Sequence, residues 1–203
     1  MPISITVFTD FVCPFCYVGT GMIDKLSKEF DLDVTWMGYE LHPETPPQGV
    51  AIEDLVDPFD LEQVMYTLRK RGEPYGLTFA DPTWLSNSRL CLEAAEFARD
   101  EGRYPEFHHA AFKAYFTDRR DIGDRAVVRG VASACGLDPD ALDAALDDGR
   151  CRERVAEAGR EASRRGVTAI PSFFIEDQPV LTGAPAEVLL RERLQAAANG
   201  QSL

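Results

Sequence analysis

Two cysteines three positions apart, Cys13-Pro14-Phe15-Cys16, constrain this chain more than any other feature. They follow an apolar alternating run, Ile3-Ser4-Ile5-Thr6-Val7-Phe8, which has the two-residue period of a strand. Residues 17–30 then place Val18, Met22, Ile23, Leu26 and Phe30 at helical spacing. The pair therefore falls at a strand-to-helix junction, on the first turn of a helix. Free N–H groups and the positive end of the helix dipole favour a thiolate there. A thiol with an ordinary pKa of ~8.5 falls to roughly 3.5–7.5 in such a setting. Two thiols at this spacing can close a disulfide and reopen it.

A closed zinc site is the first alternative, and it needs about four ligands. The chain has no second pair at this spacing: Cys91, Cys135 and Cys151 are scattered, and His108 and His109 are adjacent rather than one helical turn apart. No metal is expected. An inert pair of buried thiols is the second alternative, since free cysteine often acts as a small hydrophobe. Redox chemistry is the reading that uses both the spacing and the placement.

The 203 residues suffice for one large domain or a domain carrying a substantial insertion. No apolar run approaches the ~20 residues of a membrane-spanning helix. Met1-Pro2 lead straight into the first strand, so no cleaved leader and a cytoplasmic setting are expected. In a reducing compartment, paired cysteines at this spacing point to catalysis rather than to a structural disulfide. A net charge of −13 disfavours nucleic acid and anionic membrane surfaces, both of which call for clustered Lys and Arg. The acidic residues are dispersed, as on a solvated surface. Arginine in excess over lysine, with abundant aspartate, fits a salt-adapted or high-GC source.

Along the chain, residues 32–41 read as a second strand with Val34, Trp36 and Leu41 inward. The stretch from His42 to Gly49 breaks regular structure. Helical patterns follow over 60–72, 87–100, 104–116, 124–135, 138–146 and 150–165. Asn87 and Ser88 read as caps, and Phe107, Phe112, Tyr115 and Phe116 as core. Two short strands, 172–175 and 179–182, turn through Glu176-Asp177-Gln178, and 186–198 is a terminal helix with Val188, Leu189, Leu190 and Leu194 apolar. The expected fold class is α/β. Residues 1–45 and 166–203 would form one discontinuous domain around a mixed sheet, interrupted by a large all-helical insertion, 46–165.

A strand ending in Cys13-Pro14-Phe15-Cys16 and a late Thr168-Ala169-Ile170-Pro171 before a hairpin resemble the two halves of a thioredoxin-like fold. With the helical insertion between them, the chain resembles the DsbA family of thiol–disulfide oxidoreductases. Asp10-Phe11-Val12, Tyr39-Glu40-Leu41-His42-Pro43, Ser86-Asn87-Ser88-Arg89 and the stretch from Phe107 through Tyr115-Phe116 resemble its FrnE-like branch.

That resemblance implies roles. Cys13, nearer the helix start and the more exposed, is the expected nucleophile, and Cys16 resolves the mixed disulfide. Pro14 and Phe15 modulate both thiols. Phe15 stands where strongly oxidising relatives often carry histidine, which implies a less oxidising pair. Pro171 is the expected cis proline facing the thiols, and the backbone of Ala169 and Ile170 would bind an extended substrate as an added strand. Glu40, expected on a buried strand beneath the motif, is a candidate acceptor for the Cys16 proton. No cofactor beyond the thiol pair is required, and glutathione is an optional co-substrate. The expected partners are protein or small-molecule thiols and disulfides, for a monomer or homodimer.

Two other functions compete. One is a glutathione-dependent isomerase or transferase, resembling the 2-hydroxychromene-2-carboxylate isomerase and kappa-class relatives. Those commonly carry serine at the first motif position and lack the second cysteine. The other is a non-catalytic binding or chaperone module. Retention of both Cys13 and Cys16 favours dithiol chemistry. Cys135 and Cys151 would pair only if the fold brings them together.

Overall fold

Ile3, Ile5 and Val7 are buried along strand β1 (Ile3–Thr9), and the strand is fully enclosed from Val7 onward. In the computed structural model, which describes residues 1–201, β1 is an interior strand of a four-stranded sheet in the order β2-β1-β5-β6. Strand β2 (Leu32–Gly38) runs parallel to β1, with Thr9 opposite Gly38, and β5 (Ser172–Ile175) runs antiparallel on the other side, with Ile5 opposite Ile175. Strand β6 (Leu181–Thr182) closes the edge against β5. The two ends of the chain thus complete one mixed sheet.

Helix α1 (Pro14–Leu26) connects β1 to β2. It ends at Leu26 rather than Phe30, where the Ser27 hydroxyl donates to the Ile23 carbonyl. Between β2 and β5 lie helices α2 (Pro58–Gly72), α3 (Arg89–Asp100), α4 (Tyr104–Phe112), α5 (Arg125–Ala134), α6 (Pro139–Asp147) and α7 (Arg150–Arg164), and α8 (Glu187–Ala198) ends the order. Asp57, Asp124 and Asp138 cap α2, α5 and α6 by accepting first-turn N–H groups, and Pro58 and Pro139 occupy first-turn positions where no N–H is needed.

Three expectations change. The segment between β2 and β5 is not purely helical, because β3 (Val50–Ala51) and β4 (Trp84–Leu85) pair antiparallel in a small second sheet. The helix expected over 104–116 gives way after Phe112 to a π-helical turn, Lys113–Thr117, so Phe112 and Phe116 both stack on Tyr17. On α8, Leu190 and Leu194 are buried, whereas Val188 and Leu189 face solvent.

An aromatic seam joins the helical segment to α1. The Tyr17 ring lies 5.4 Å from both Phe112 and Phe116, and Phe11 packs 5.1 Å from Phe112. The fully buried rings, Phe11 and Phe112, each contribute about 1.5–3 kcal/mol of hydrophobic stabilisation. On the outer face of α7, Arg160, Arg164 and Arg165 pair with Glu153, Glu157 and Glu161 in an exposed ladder. Solvent-exposed pairs of this kind add little stability. No helix among the described residues is long and apolar enough to cross a membrane.

Candidate active site

Cys13 is the N-cap of α1, with extended backbone (φ −86°, ψ 111°), and Pro14 opens the first turn. The Cys13 carbonyl accepts from the N–H groups of Cys16 (3.0 Å) and Tyr17 (3.3 Å), while the Cys13 N–H donates to the Asp10 carbonyl (3.1 Å). Both cysteines are buried: Cys13 retains 3% exposure and Cys16 1%. Pro14 and Phe15 are half-buried at the surface of the turn.

The facing wall comes from the far end of the chain. The Ile170–Pro171 peptide bond is cis, and the Ile170 carbonyl oxygen lies 3.8 Å from Cys13 Sγ. Thr168 and Ala169 are exposed, and the Ala169 carbonyl accepts from the Ser172 hydroxyl (2.7 Å). The Pro171 carbonyl accepts from Gly183 N–H (2.8 Å) at the end of the hairpin, where a φ of 75° favours glycine.

Burial pushes the Cys16 thiol well above its usual range, and the neighbouring Cys13 pushes it the same way. The Asp10 main-chain N–H and the Thr9 hydroxyl act in the opposite sense. Thr9 Oγ1 is buried with no other hydrogen-bond partner among the described residues, so its proton is available to a thiolate on Cys16. The Thr20 hydroxyl donates to the Cys16 carbonyl (3.1 Å) and lies 3.0 Å from His108 Nε2.

Glu40 is not on a strand beneath the motif. Strand β2 ends at Gly38, and the Glu40 carboxylate turns to the Arg89 guanidinium, 2.8 Å away. The fully buried carboxylate near the motif is Asp10. Its Oδ2 accepts from Leu41 N–H (2.7 Å) and Ser88 Oγ (3.0 Å), and its Oδ1 from Val12 N–H (3.4 Å). Burial outweighs these hydrogen bonds and raises its pKa to about 6. Asp10 thereby ties together the turn before Cys13, the exit of β2 and the start of α3.

Ser88 serves Asp10 rather than its own helix. The cap-like bond there comes from Asn87, whose Oδ1 accepts from Arg89 N–H (3.1 Å) while its Nδ2 donates to the Thr45 carbonyl (2.6 Å). No disulfide joins Cys135 and Cys151. No cluster of three or more His, Cys, Asp or Glu among the described residues is arranged to hold a metal ion. The reasoning from sequence missed Asp10, Thr9 and Ser88 as a set. A polar Thr9-Asp10 at the end of an apolar strand was the available signal.

A dithiol at the start of the first helix, opposed by a cis-proline loop that returns beside it in a mixed sheet, is the arrangement of a thioredoxin-like fold. The chain belongs to the DSBA-like thioredoxin domain family, which it matches over residues 4–195. It is 29% identical over 187 residues to the uncharacterized protein YwbO of Bacillus subtilis (strain 168), covering 91% of this chain and 92% of that one. It is 25% identical over 180 residues to the 2-hydroxychromene-2-carboxylate isomerase of Sphingobium xenophagum, covering 86% and 90%. Among solved structures, a probable DsbA oxidoreductase from Streptomyces coelicolor superposes with a TM-score of 0.89 at 21% identity, covering 99% of this chain and 92% of that chain.

Proposed function

We propose that this protein is a dithiol oxidoreductase that exchanges disulfides with protein or small-thiol substrates. The observation that carries the reading is the pairing of two cysteines, Cys13 at the helix N-cap and Cys16 one turn in, against the Ile170 carbonyl. In the reducing direction, the Cys13 thiolate attacks one sulfur of a substrate disulfide and expels the other half as a thiolate. Cys16 then loses its proton and attacks the Cys13 sulfur. The substrate's second half leaves as a thiolate, and the Cys13–Cys16 disulfide closes. Two electrons pass from the dithiol to the substrate, and the two thiol protons end on the departing sulfurs.

Pro171, Ile170 and Ala169 form the edge on which an extended substrate lies, and Pro14 and Phe15 tune the thiols. Asp10, not Glu40, is the carboxylate suited to relay the Cys16 proton, because it titrates near neutrality and its own N–H faces Cys16. The sheet-forming body, 1–45 and 166–203, supplies the chemistry, and 46–165 walls it. The reading requires no cofactor beyond the thiol pair, and glutathione is an optional co-substrate. A FrnE-like role in the cytoplasm, as a monomer or homodimer, follows from the same reading, with the resting pair held as a dithiol.

The isomerase relative supports a second reading, a glutathione-dependent enzyme in which only Cys13 works. Titration of the pair against glutathione, with mass-tagged thiol counting beside Cys13→Ser, separates the two. Two thiols lost together at one potential, absent in the variant, establish dithiol chemistry. A single thiol that merely holds glutathione, with electrophile turnover surviving Cys16→Ala, establishes the second reading instead.

A further inference from the structure

Arg71, near the end of α2, sits between the cysteine motif and the loop that follows β6. Its guanidinium carbon lies 5.6 Å from the centre of the Phe15 ring, on the motif side. Its Nη2 donates to the carbonyls of Ala184 and, at 3.4 Å, Pro185, directly after the Gly183 whose N–H binds Pro171. One side chain therefore touches both the motif and the loop after β6, whose Gly183 is hydrogen-bonded to the cis proline.

Its charge is uncompensated. The neighbouring cations on this side, Lys25 and Arg191, are both bound to Glu187, at 2.9 and 3.1 Å. Arg71 has no carboxylate within ion-pair distance among the described residues. A guanidinium carries five N–H donors. Two carbonyls occupy Nη2, and neither Nε nor Nη1 has a partner among the described residues. Arg71 is half-buried, so its field is less screened than that of a fully exposed side chain. In a chain with a net charge of −13, this is a local exception beside Phe15 of the motif.

We infer that Arg71 is a specificity-determining residue that selects disulfides and thiols carrying a carboxylate close to the reacting sulfur. The inference rests on the oxidoreductase reading and names its substrate class. The free donors form charge-assisted hydrogen bonds with a carboxylate while the sulfur beside it meets Cys13. Both an acidic residue next to a cysteine in a peptide and the carboxylates of glutathione present this chemistry.

The test compares three fluorogenic peptide disulfides that differ only in the residue beside the cysteine, Glu, Gln or Lys. A second arm compares glutathione disulfide with its ester. Wild type should favour the Glu over the Lys peptide by about tenfold in kcat/KM, a preference that shrinks as salt is added. Arg71→Lys should keep much of the preference, Arg71→Gln should abolish it, and Arg71→Glu should invert it. An equal loss on all three peptides marks a structural clamp and overturns the inference, as does a wild type blind to charge or a preference that survives Arg71→Gln. A preference confined to glutathione disulfide over its ester assigns the carboxylate to the small thiol; one shared by the peptides assigns it to both. Absence of turnover on every disulfide overturns the oxidoreductase reading and the inference with it.

Discussion

Cys13 Sγ and the carbonyl oxygen of Ile170 are 3.8 Å apart although 157 positions separate the two residues in the chain. The contact places the Ile170 main chain beside Cys13, while Cys16 lies deeper, 1% exposed and with its thiol raised. Cys16→Ala should therefore accumulate a stable mixed disulfide on Cys13 when offered a substrate disulfide. Cys13→Ala should form its Cys16 adduct ~10-fold or more slowly, because thiolate and access are both scarce there. Intact-mass analysis after acid quenching reads both outcomes. Equal adduct rates would remove the division of labour.

Asp10 makes a pH signature. Its folded pKa of about 6 lies above the ordinary 3.8, so the folded state holds a proton that the unfolded state releases. Stability from this group is full at low pH, declines as pH rises from about 4 through about 6, and is then absent. The shift corresponds to a cost on the order of 3 kcal/mol at pH 7. Asp10→Asn removes the titration whatever it does to the hydrogen bonds. Unfolding free energies at several pH values should give a wild-type-minus-variant difference that falls by about 2 kcal/mol between pH 4 and pH 7. A flat difference would show that Asp10 titrates normally.

Two helical glycines should respond oppositely to alanine. A Cβ on Gly21 would stand 2.7 Å from Tyr75 Cβ, where α1 meets the turn after α2. One on Gly159 in α7 would meet nothing within 4 Å. Gly21→Ala should destabilise by about 1–3 kcal/mol through overpacking, and Gly159→Ala should stabilise by about 1 kcal/mol through helix propensity. Denaturant midpoints measure both. The same sign for the two would contradict the packing described at α1.

Adjacent histidines should titrate apart. His109 is raised by its bond to Asp24, 2.8 Å away, and His108 is lowered by complete burial among aromatic rings. His109 therefore adds stability at pH below its ordinary 6.5, which is lost as pH rises through its raised value. His108, kept neutral, costs stability as pH falls below 6.5. In an NMR titration the His109 ring signals should move at a midpoint above 6.5, and those of His108 should stay in the neutral position well below it. The Nε2 proton of His108 should persist, because the Thr20 hydroxyl already donates to the Cys16 carbonyl and must accept from the ring.

The motif junction, the order of elements and the closing hairpin were legible because each is a local pattern: alternation, helical spacing, a cluster of turn residues. What escaped depends on partners distant in sequence. Strand β2 stops at Gly38 because its partner β1 stops at Thr9 and Asp10 captures the N–H of Leu41, so Glu40 leaves the sheet. Ser88 looks like any helix cap until Asp10 arrives opposite it. The pairing of Val50 with Leu85 bridges two stretches with no strand pattern of their own. Arg71 is one arginine among many, and that it has no acidic partner among the described residues while standing beside Phe15 is visible only in the fold.

The strand order has a consequence for biosynthesis. β1 carries the cysteines to the sheet early, but β5, its antiparallel neighbour, pairs Ile5 with Ile175. At about 5–20 residues per second, a ribosome needs roughly ten to thirty seconds to deliver the second half of the site after the first. During that interval both thiols are present on a nascent chain that lacks the Ile170 wall. The pocket that governs their reactivity is begun first and finished last, and its assembly reports that translation has passed the whole helical segment.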